Sequence, residues 1–108
     1  MRRGDLVTVS APGAYGKPRP AVVMQSDFLT ANDSVLVGLL TSTRSATPLY
    51  RLTLMPSPTN GLRAPSQIMV DKIVALPRAK CGEVIGRIAA PELASLNRML
   101  TVMLGLAD

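Results

Sequence analysis

The chain has 108 residues, of which 47% are hydrophobic and only 3% aromatic, so its core must be largely aliphatic. It carries 12 lysine and arginine residues against 7 aspartate and glutamate residues, and this net charge of +5 favours a polyanionic partner such as nucleic acid. Histidine is absent, which excludes histidine-based zinc sites and every catalytic triad or dyad with an imidazole base. We therefore expect no metal site and no other cofactor.

The cysteine content and the N-terminal residues indicate the cellular compartment of the protein. The single cysteine, Cys81, cannot form an internal disulfide and fits a reducing compartment. The basic residues near the start precede an apolar run that Asp5, Thr8 and Ser10 interrupt, which is not the pattern of a signal peptide. No uninterrupted apolar stretch is long enough to cross a membrane. These features predict a single domain, residues 1–108, that is soluble and cytoplasmic.

Short strands separated by glycine and proline turns are predicted over the first half of the chain. The stretch "DLVTVSA" alternates as a first strand, and residues 11–18, "APGAYGKP", follow as a loop. "RPAVVMQS" predicts a second strand that is apolar on both faces and therefore central. "SVLVGLLTST" predicts a third, apolar strand, and "PLYRLTLM" a fourth that alternates. A long loop with three prolines is expected at residues 56–66.

The second half predicts further strands and one helix. "QIMVDKIVALP" favours one or two short strands, and "CGEVIGRI" another with a break at Gly82 and Gly86. In the final segment Pro91 fits a first helical turn and Glu92 its positive end, and the helix should end near Gly105. Leucines recur there at helical spacing, at Leu93, Leu96 and Leu100. The pattern predicts a mainly β (α+β) fold, a small SH3-like curved sheet or barrel with a C-terminal α-helix.

Two cations stand between prolines directly before the apolar second strand, in Lys17-Pro18-Arg19-Pro20. A residue before proline is driven into the extended region, and in extended chain residues two apart face the same side, about 7 Å apart. Lys17 and Arg19 would then match neighbouring phosphates with little ordering entropy left to lose. A solvated turn with incidental charge is the alternative interpretation of this spacing.

Hydroxyl groups and a further arginine follow the third strand, in "LTSTRS", residues 40–45. Polar side chains where a buried strand emerges are typical of a site carried on a rigid scaffold, and this makes Thr41, Ser42 and Arg44 candidates. The alternative is that the hydroxyls only satisfy the amides of a turn.

Several segments together resemble the MazF/PemK-type toxins, the endoribonuclease half of toxin–antitoxin modules. The resemblance rests on "MRRGDLVTV", "KPRPAVVMQSD", "LTST", "GLRAPSQIMVDKIVAL" and "IGRI", followed by a C-terminal helix. It covers nearly the whole chain, and its most specific parts are the "RGD" opening, the "RPAVV" strand and the "SQI…DKI" segment.

The resemblance implies a reaction and two catalytic residues. The arginine of the family's "RP" pair corresponds to Arg19, and its active-site threonine at the end of the third strand corresponds to Thr41. Such toxins cleave single-stranded RNA without metal, the ribose 2′-hydroxyl attacking the adjacent phosphate. Some members place a glutamate before the arginine, whereas this chain has Ala14 near that position. Whether any side chain acts as a general base therefore stays open.

Further residues are expected to bind the RNA. Lys17 and Arg44 would position phosphates, and Tyr15 would stack on a base, although Tyr15 could equally be a loop aromatic that covers the mouth of the barrel. Ser42 and Gln67 are assigned to RNA binding as well.

We also expect two protein partners, a second copy of the chain and an antitoxin, and two alternative functions stay open. A homodimer is expected because residues 93–104 carry more apolar surface than one helix face needs, and the resemblance implies a dimer too. The cognate antitoxin should be acidic and partly disordered. The alternatives are a CcdB-like toxin that binds gyrase, although the tryptophan of such tails is missing here, and a noncatalytic basic SH3-like nucleic-acid module.

Overall fold

Six antiparallel strands and one C-terminal helix make up the part of the chain that the computed structural model describes, residues 1–10, 17–43 and 49–107. The strands form one sheet in the order β4-β5-β3-β2-β1-β6, and every pair of neighbours is antiparallel. Their bounds are β1 Asp5–Val9, β2 Arg19–Val23, β3 Ser34–Thr41, β4 Arg51–Leu54, β5 Ser66–Pro77 and β6 Cys81–Arg87, and the helix α1 is Ala90–Met103. The predicted fold class is confirmed.

Apolar clusters lie on both faces of the sheet. Because side chains alternate along a strand, Val22 and Met24 of the β2 segment join one cluster while Ala21 and Val23 join the other. The first cluster contains Leu6, Val22, Met24, Leu40, Leu54, Ile68, Val70, Ile88 and Leu96. The second contains Val7, Val9, Ala21, Val23, Val35, Val37 and Leu76. Strand β2 is therefore buried on both faces, as its uninterrupted apolar sequence predicts.

The curvature of the sheet closes around the second cluster. A short 3₁₀ helix, Arg78–Lys80, connects β5 to β6. The amide of Ser10 donates to the carbonyl of Lys80 at 3.0 Å, and the amide of Arg78 donates to the carbonyl of Asp33 at 2.8 Å. These two bonds tie the end of β1 and the start of β3 to this corner, so the sheet bends over its own apolar face.

Helix α1 covers the first cluster. It begins at Ala90, with Pro91 in its first turn, and Glu92 accepts a hydrogen bond from the Ala89 amide at 2.8 Å. Leu96 is fully buried, and Leu93, Met99 and Leu100 pack around it against the sheet. Gly105 follows in the left-handed region, with φ of 71°, and ends the helix near the predicted residue. Within the described residues no helix is long and apolar enough to cross a membrane.

The opening "MRRGD" forms a structural junction. Asp5 accepts from the Arg2 amide at 2.8 Å and from the guanidinium of Arg87 at 2.6 Å, and Arg3 donates its Nε to the carbonyl of Met24 at 2.9 Å. Gly4 has φ of 91°, a left-handed conformation that favours glycine. One of the three most specific motifs of the family resemblance thus joins the chain start to β2 and β6 and serves the fold.

The loop between β4 and β5 is organised by one buried amide. Asn60, only 2% exposed, donates to the carbonyl of Met55 at 2.8 Å, and its Oδ1 accepts from the amides of Ser57 at 3.0 Å and Leu62 at 2.9 Å. The backbone of this loop passes so close to β6 that a side chain at Gly86 would collide with Asn60. Strand β6 is continuous there, and the predicted glycine breaks correspond to shifts of its register against β1.

Candidate functional site

Four polar side chains lie in a row across four neighbouring strands. Thr41 of β3 pairs with Gln67 of β5, and Gln67 pairs with Thr53 of β4. In the β2–β3 ladder Ala21 pairs with Leu39, and the same register continued by two residues brings Arg19 opposite Thr41. Residues directly opposite each other in antiparallel strands share a face of the sheet. We call Arg19, Thr41, Gln67 and Thr53 the polar row.

The polar row borders the second apolar cluster. Arg19 is two residues from Ala21 on β2, and Thr41 is two residues from Leu39 on β3, so each emerges from the same face as its apolar neighbour. Arg19 is exposed, Thr41 is half-buried and Gln67 is only 6% exposed. The row therefore starts at an open end on β2 and becomes more enclosed toward β5.

The hydroxyl of Thr41 is oriented by the turn that follows it. Its oxygen accepts a hydrogen bond from the Thr43 amide at 3.1 Å, which occupies a lone pair and leaves the hydroxyl proton free to be donated. Gln67 donates its Nε2 to the hydroxyl oxygen of Thr53 at 3.1 Å, which holds both side chains in the row. The row thus offers a guanidinium and an oriented hydroxyl donor next to each other.

The predicted phosphate-binding cations are available for a ligand. Lys17 and Arg19 are both exposed, and over residues 1–10, 17–43 and 49–107 neither side chain takes part in a hydrogen bond or an ion pair. Ser42 is exposed immediately after Thr41. Two other candidates from the sequence, Tyr15 and Arg44, lie outside the described residues. Of the seven predicted site residues, the sheet register brings together Arg19, Thr41 and Gln67.

Two polar residues of β4 were missed by sequence reasoning. Leu52 and Leu54 of "RLTL" pack toward the first cluster, so Arg51 and Thr53 must emerge on the opposite face, which is the face of the polar row. The alternation was visible in the sequence. What the sequence did not show is that β4 pairs with the β5 residue Gln67.

Other chemistry-bearing groups lie elsewhere. The described ranges hold no group of three or more histidine, cysteine, aspartate or glutamate residues that could bind a metal. Cys81 is half-buried against the second cluster, and burial raises the pKa of its thiol, an effect that nearby Arg78 opposes. A raised pKa keeps the thiol protonated, and a thiol is a poor nucleophile compared with a thiolate.

A cavity of about 300 Å³ opens at the far end of β2 from Arg19, between Val23, Gln25, Asp27, Leu29 and Arg78. A cleft of about 470 Å³ lies closer to the polar row, lined by Pro18, Pro20, Arg63, Ser66 and Ile85 among others. Pro20 alternates with Arg19 along β2, so this cleft opens toward the opposite face of the sheet.

Comparisons with known proteins agree with one another. The family model of PemK-like, MazF-like toxins of type II toxin–antitoxin systems matches residues 2–104. The chain is 41% identical over 108 residues to the probable endoribonuclease MazF of Mycolicibacterium smegmatis, an alignment that covers 99% of each protein.

Solved structures show the same fold. An endoribonuclease in complex with its cognate antitoxin, from a mycobacterial species, superimposes with a TM-score of 0.79 at 20% identity and covers 98% of this chain and 96% of that one. A MazE–MazF structure from Deinococcus radiodurans matches with a TM-score of 0.77 at 23% identity, over 97% of this chain and 95% of that one.

Proposed function

The chain belongs to the PemK-like, MazF-like toxins of type II toxin–antitoxin systems, and on that premise we propose that it is an endoribonuclease that cleaves single-stranded RNA at the polar row. The observation that carries the proposal is the register of the β2–β3 ladder, which, continued by two residues beyond the Ala21–Leu39 pair, brings Arg19 opposite Thr41. An exposed guanidinium, unpartnered within the described ranges, and a hydroxyl held by the Thr43 amide lie next to each other on one face of the sheet. A charged guanidinium and a neutral hydroxyl can both donate hydrogen bonds to the oxygens of a phosphodiester that is being cleaved.

The reaction in this proposal is an internal transfer within the RNA. The ribose 2′-oxygen forms a bond to the adjacent phosphorus and the bond from phosphorus to the 5′-oxygen of the next nucleotide breaks. The products are a 2′,3′-cyclic phosphate and a new 5′-hydroxyl, so no water or cofactor is consumed. The proton of the attacking hydroxyl is released, and the leaving 5′-oxygen takes up a proton.

Arg19 and Thr41 act on the charge that develops on the phosphate. A guanidinium is a poor proton carrier, so Arg19 serves the transition state by charge and by its fork of donors. Thr41 donates its hydroxyl proton to the same phosphate. None of the four side chains in the polar row is a base at neutral pH, so in this scheme water accepts the proton of the 2′-hydroxyl.

The remaining candidates hold the RNA on either side of the scissile phosphate. We assign Lys17 and Arg44 to phosphates, Ser42 and Gln67 to polar contacts, and Tyr15 to stacking on a base. Gln67 lies in the polar row itself, next to Thr41, which supports its assignment.

The proposed partners follow from charge and apolar surface. The net charge of +5 and the exposed cations at the start of β2 suit an acidic antitoxin segment that folds onto this face and competes with RNA. Apolar side chains at the end of α1 remain exposed, which suits a homodimer with RNA running near the interface. Because the proposed substrate is RNA, we assign the site of action to the cytoplasm.

The test is incubation of the purified protein with end-labelled single-stranded RNA in the presence of EDTA. We expect cleavage at defined positions that leaves cyclic phosphate ends, and no cleavage where a 2′-deoxynucleotide replaces the attacking residue. A duplex of the same sequence is the matched control and should stay intact. Binding without scission would instead favour the noncatalytic nucleic-acid module, and cleavage that requires an added metal would contradict the proposed chemistry.

A further inference from the structure

The arginines of the described residues divide into those with structural partners and those without. Arg3 donates to the carbonyl of Met24, Arg78 donates to the carbonyls of Leu29, Thr30 and Asn32, and Arg87 forms the ion pair with Asp5. Each of these three cations is engaged in tying segments of the fold together. Arg51 lies in the sheet yet has no such bond from its guanidinium in the described part of the chain.

Arg51 is held beside the polar row. It is two residues before Thr53 on β4 and shares the face of Thr53, because Leu52 and Leu54 point into the first cluster. Its cross-strand neighbour on β5 is Met69, two residues beyond Gln67. Arg51 therefore lies beside the polar row, two residues from Thr53 along the edge strand β4.

The described residues around Arg51 offer its Nε no hydrogen-bond acceptor. Its side chain is half-buried, and its Nε is shielded from solvent without a hydrogen-bond partner among the residues that the structure describes. Leaving a buried donor unsatisfied lowers the stability of the folded chain, most of all when the donor carries charge. The terminal nitrogens of the same guanidinium have no acceptor in the described ranges either, and a bound anion would supply one to them.

We infer that Arg51 is a second phosphate-positioning residue, which binds an RNA phosphate other than the one at Arg19. Three strand spacings separate β2 from β4, and Arg51 lies two residues further along, so the two Cα atoms are about 16 Å apart along the sheet. The RNA then crosses the strands along the polar row, with the scissile phosphate between Arg19 and Thr41 and a flanking phosphate at Arg51. This inference rests on the proposed ribonuclease function.

Two variants and a matched control separate this role from a structural one. Arg51→Met keeps an unbranched apolar stem and removes the guanidinium, and Arg51→Lys keeps the charge without the Nε donor. Arg98→Met removes a charge from the exposed side of α1, away from the row, and controls for the lower net charge. Affinity is measured with an RNA made uncleavable by a 2′-deoxynucleotide, and cleavage is measured in single turnover at saturating enzyme.

Loss of one charged hydrogen-bonding group should weaken RNA binding by Arg51→Met by about tenfold or more. The salt dependence of log affinity should become shallower by about 0.7, the value for one phosphate contact on a single strand. Arg51→Lys should recover part of the affinity, and Arg98→Met should lose less than about threefold. At saturation the cleavage rate of Arg51→Met should stay near that of the wild type. Its melting temperature should be unchanged or higher, because an unsatisfied donor has been removed.

A scan with single methylphosphonates identifies the phosphate concerned. If Arg51 binds one phosphate, neutralising that phosphate should weaken the wild type and have no further effect on Arg51→Met, whereas the other positions should affect both proteins alike. Equal RNA affinity of Arg51→Met and Arg98→Met would overturn the inference, and so would a loss in Arg51→Met that accompanies dissociation into monomers. A wild-type protein that binds RNA without cutting it, or ignores it, would refute the proposed function separately.

Discussion

At the scale of single residues, the side chains of Arg19 and Thr41 are held in position by different interactions. Arg19 is positioned by backbone stiffness, since it precedes Pro20 and pairs with Val9 in the β1–β2 ladder. Thr41 is positioned by a hydrogen bond, because the Thr43 amide holds its hydroxyl oxygen. Both devices reduce the reorganisation needed when charge develops on a bound phosphate.

The two side chains can be tested apart. We expect Arg19→Ala to lower the single-turnover cleavage rate by at least about 10²–10³-fold, the usual effect of removing one preorganised donor. Arg19→Lys should retain partial activity at best, because it keeps the charge and loses the fork of donors. Thr41→Val is nearly isosteric, and we expect a smaller but clear loss from removal of the hydroxyl.

Thermal melts of these variants provide the control, since Arg19 is exposed and contributes little to either apolar cluster. Melting temperatures close to that of the wild type would assign the losses to the site. Cleavage by Arg19→Ala at the wild-type rate would show that the reacting phosphate lies elsewhere.

Residue types at this site were predictable from the sequence, whereas their arrangement was not. Arg19 and Thr41 stand out because a cation and hydroxyls flank apolar strands, and the family resemblance adds their roles. That Gln67 lies directly between Thr41 and Thr53 depends on the pairing of β5 with both β3 and β4. Strand pairing is set by the whole sheet, so no local pattern marked Arg51 or Thr53 as neighbours of Arg19.

At the scale of elements, β5 is a strand whose length the local sequence pattern could not predict. The sequence allowed one or two strands over residues 67–77 because the polar Asp71 and Lys72 interrupt an apolar run. The structure has a single strand, Ser66–Pro77, whose pairing with β3 shifts between Gly38 and Leu40. Asp71 and Lys72 are exposed at this irregularity, so one strand can serve both halves of the curved sheet.

The loop between β4 and β5 depends on Asn60. Replacing it with alanine removes three hydrogen bonds and leaves the Met55 carbonyl without its buried donor. We expect Asn60→Ala to lower the free energy of unfolding by about 2–4 kcal/mol. Urea unfolding followed by circular dichroism measures this directly.

Asn97→Ala is the matched control, because the Asn97 side chain is exposed on α1 and only its carbonyl is used, as the acceptor for Thr101. It should change the stability by less than about 0.5 kcal/mol. A loss in Asn60→Ala no larger than that of Asn97→Ala would mean that the loop does not depend on the buried amide.

At the scale of the whole molecule, α1 carries more apolar surface than the sheet covers. Leu93, Leu96, Met99 and Leu100 face the first cluster. Beyond them the helix end exposes a set of large apolar side chains, Val102 at 56%, Met103 at 37%, Leu104 at 59% and Leu106 at 74%. A patch of exposed large apolar side chains at one end of a helix is typical of an interface, and in a two-fold dimer the same patch serves both subunits.

This patch yields the test of the proposed homodimer. At micromolar concentration the wild type should sediment with twice the chain mass of 11.4 kDa. The double variant Val102→Asp, Leu106→Asp should sediment as the monomer, because two carboxylates per subunit would have to be desolvated in the interface. Ala94→Asp adds a carboxylate to an exposed position in the N-terminal half of α1, where it suits the helix dipole, and should leave the dimer intact. A wild type that sediments only as the 11.4 kDa species would contradict the dimer. If the monomeric variant keeps its fold but cleaves RNA less well than Ala94→Asp, then RNA bound along the polar row also depends on the second subunit.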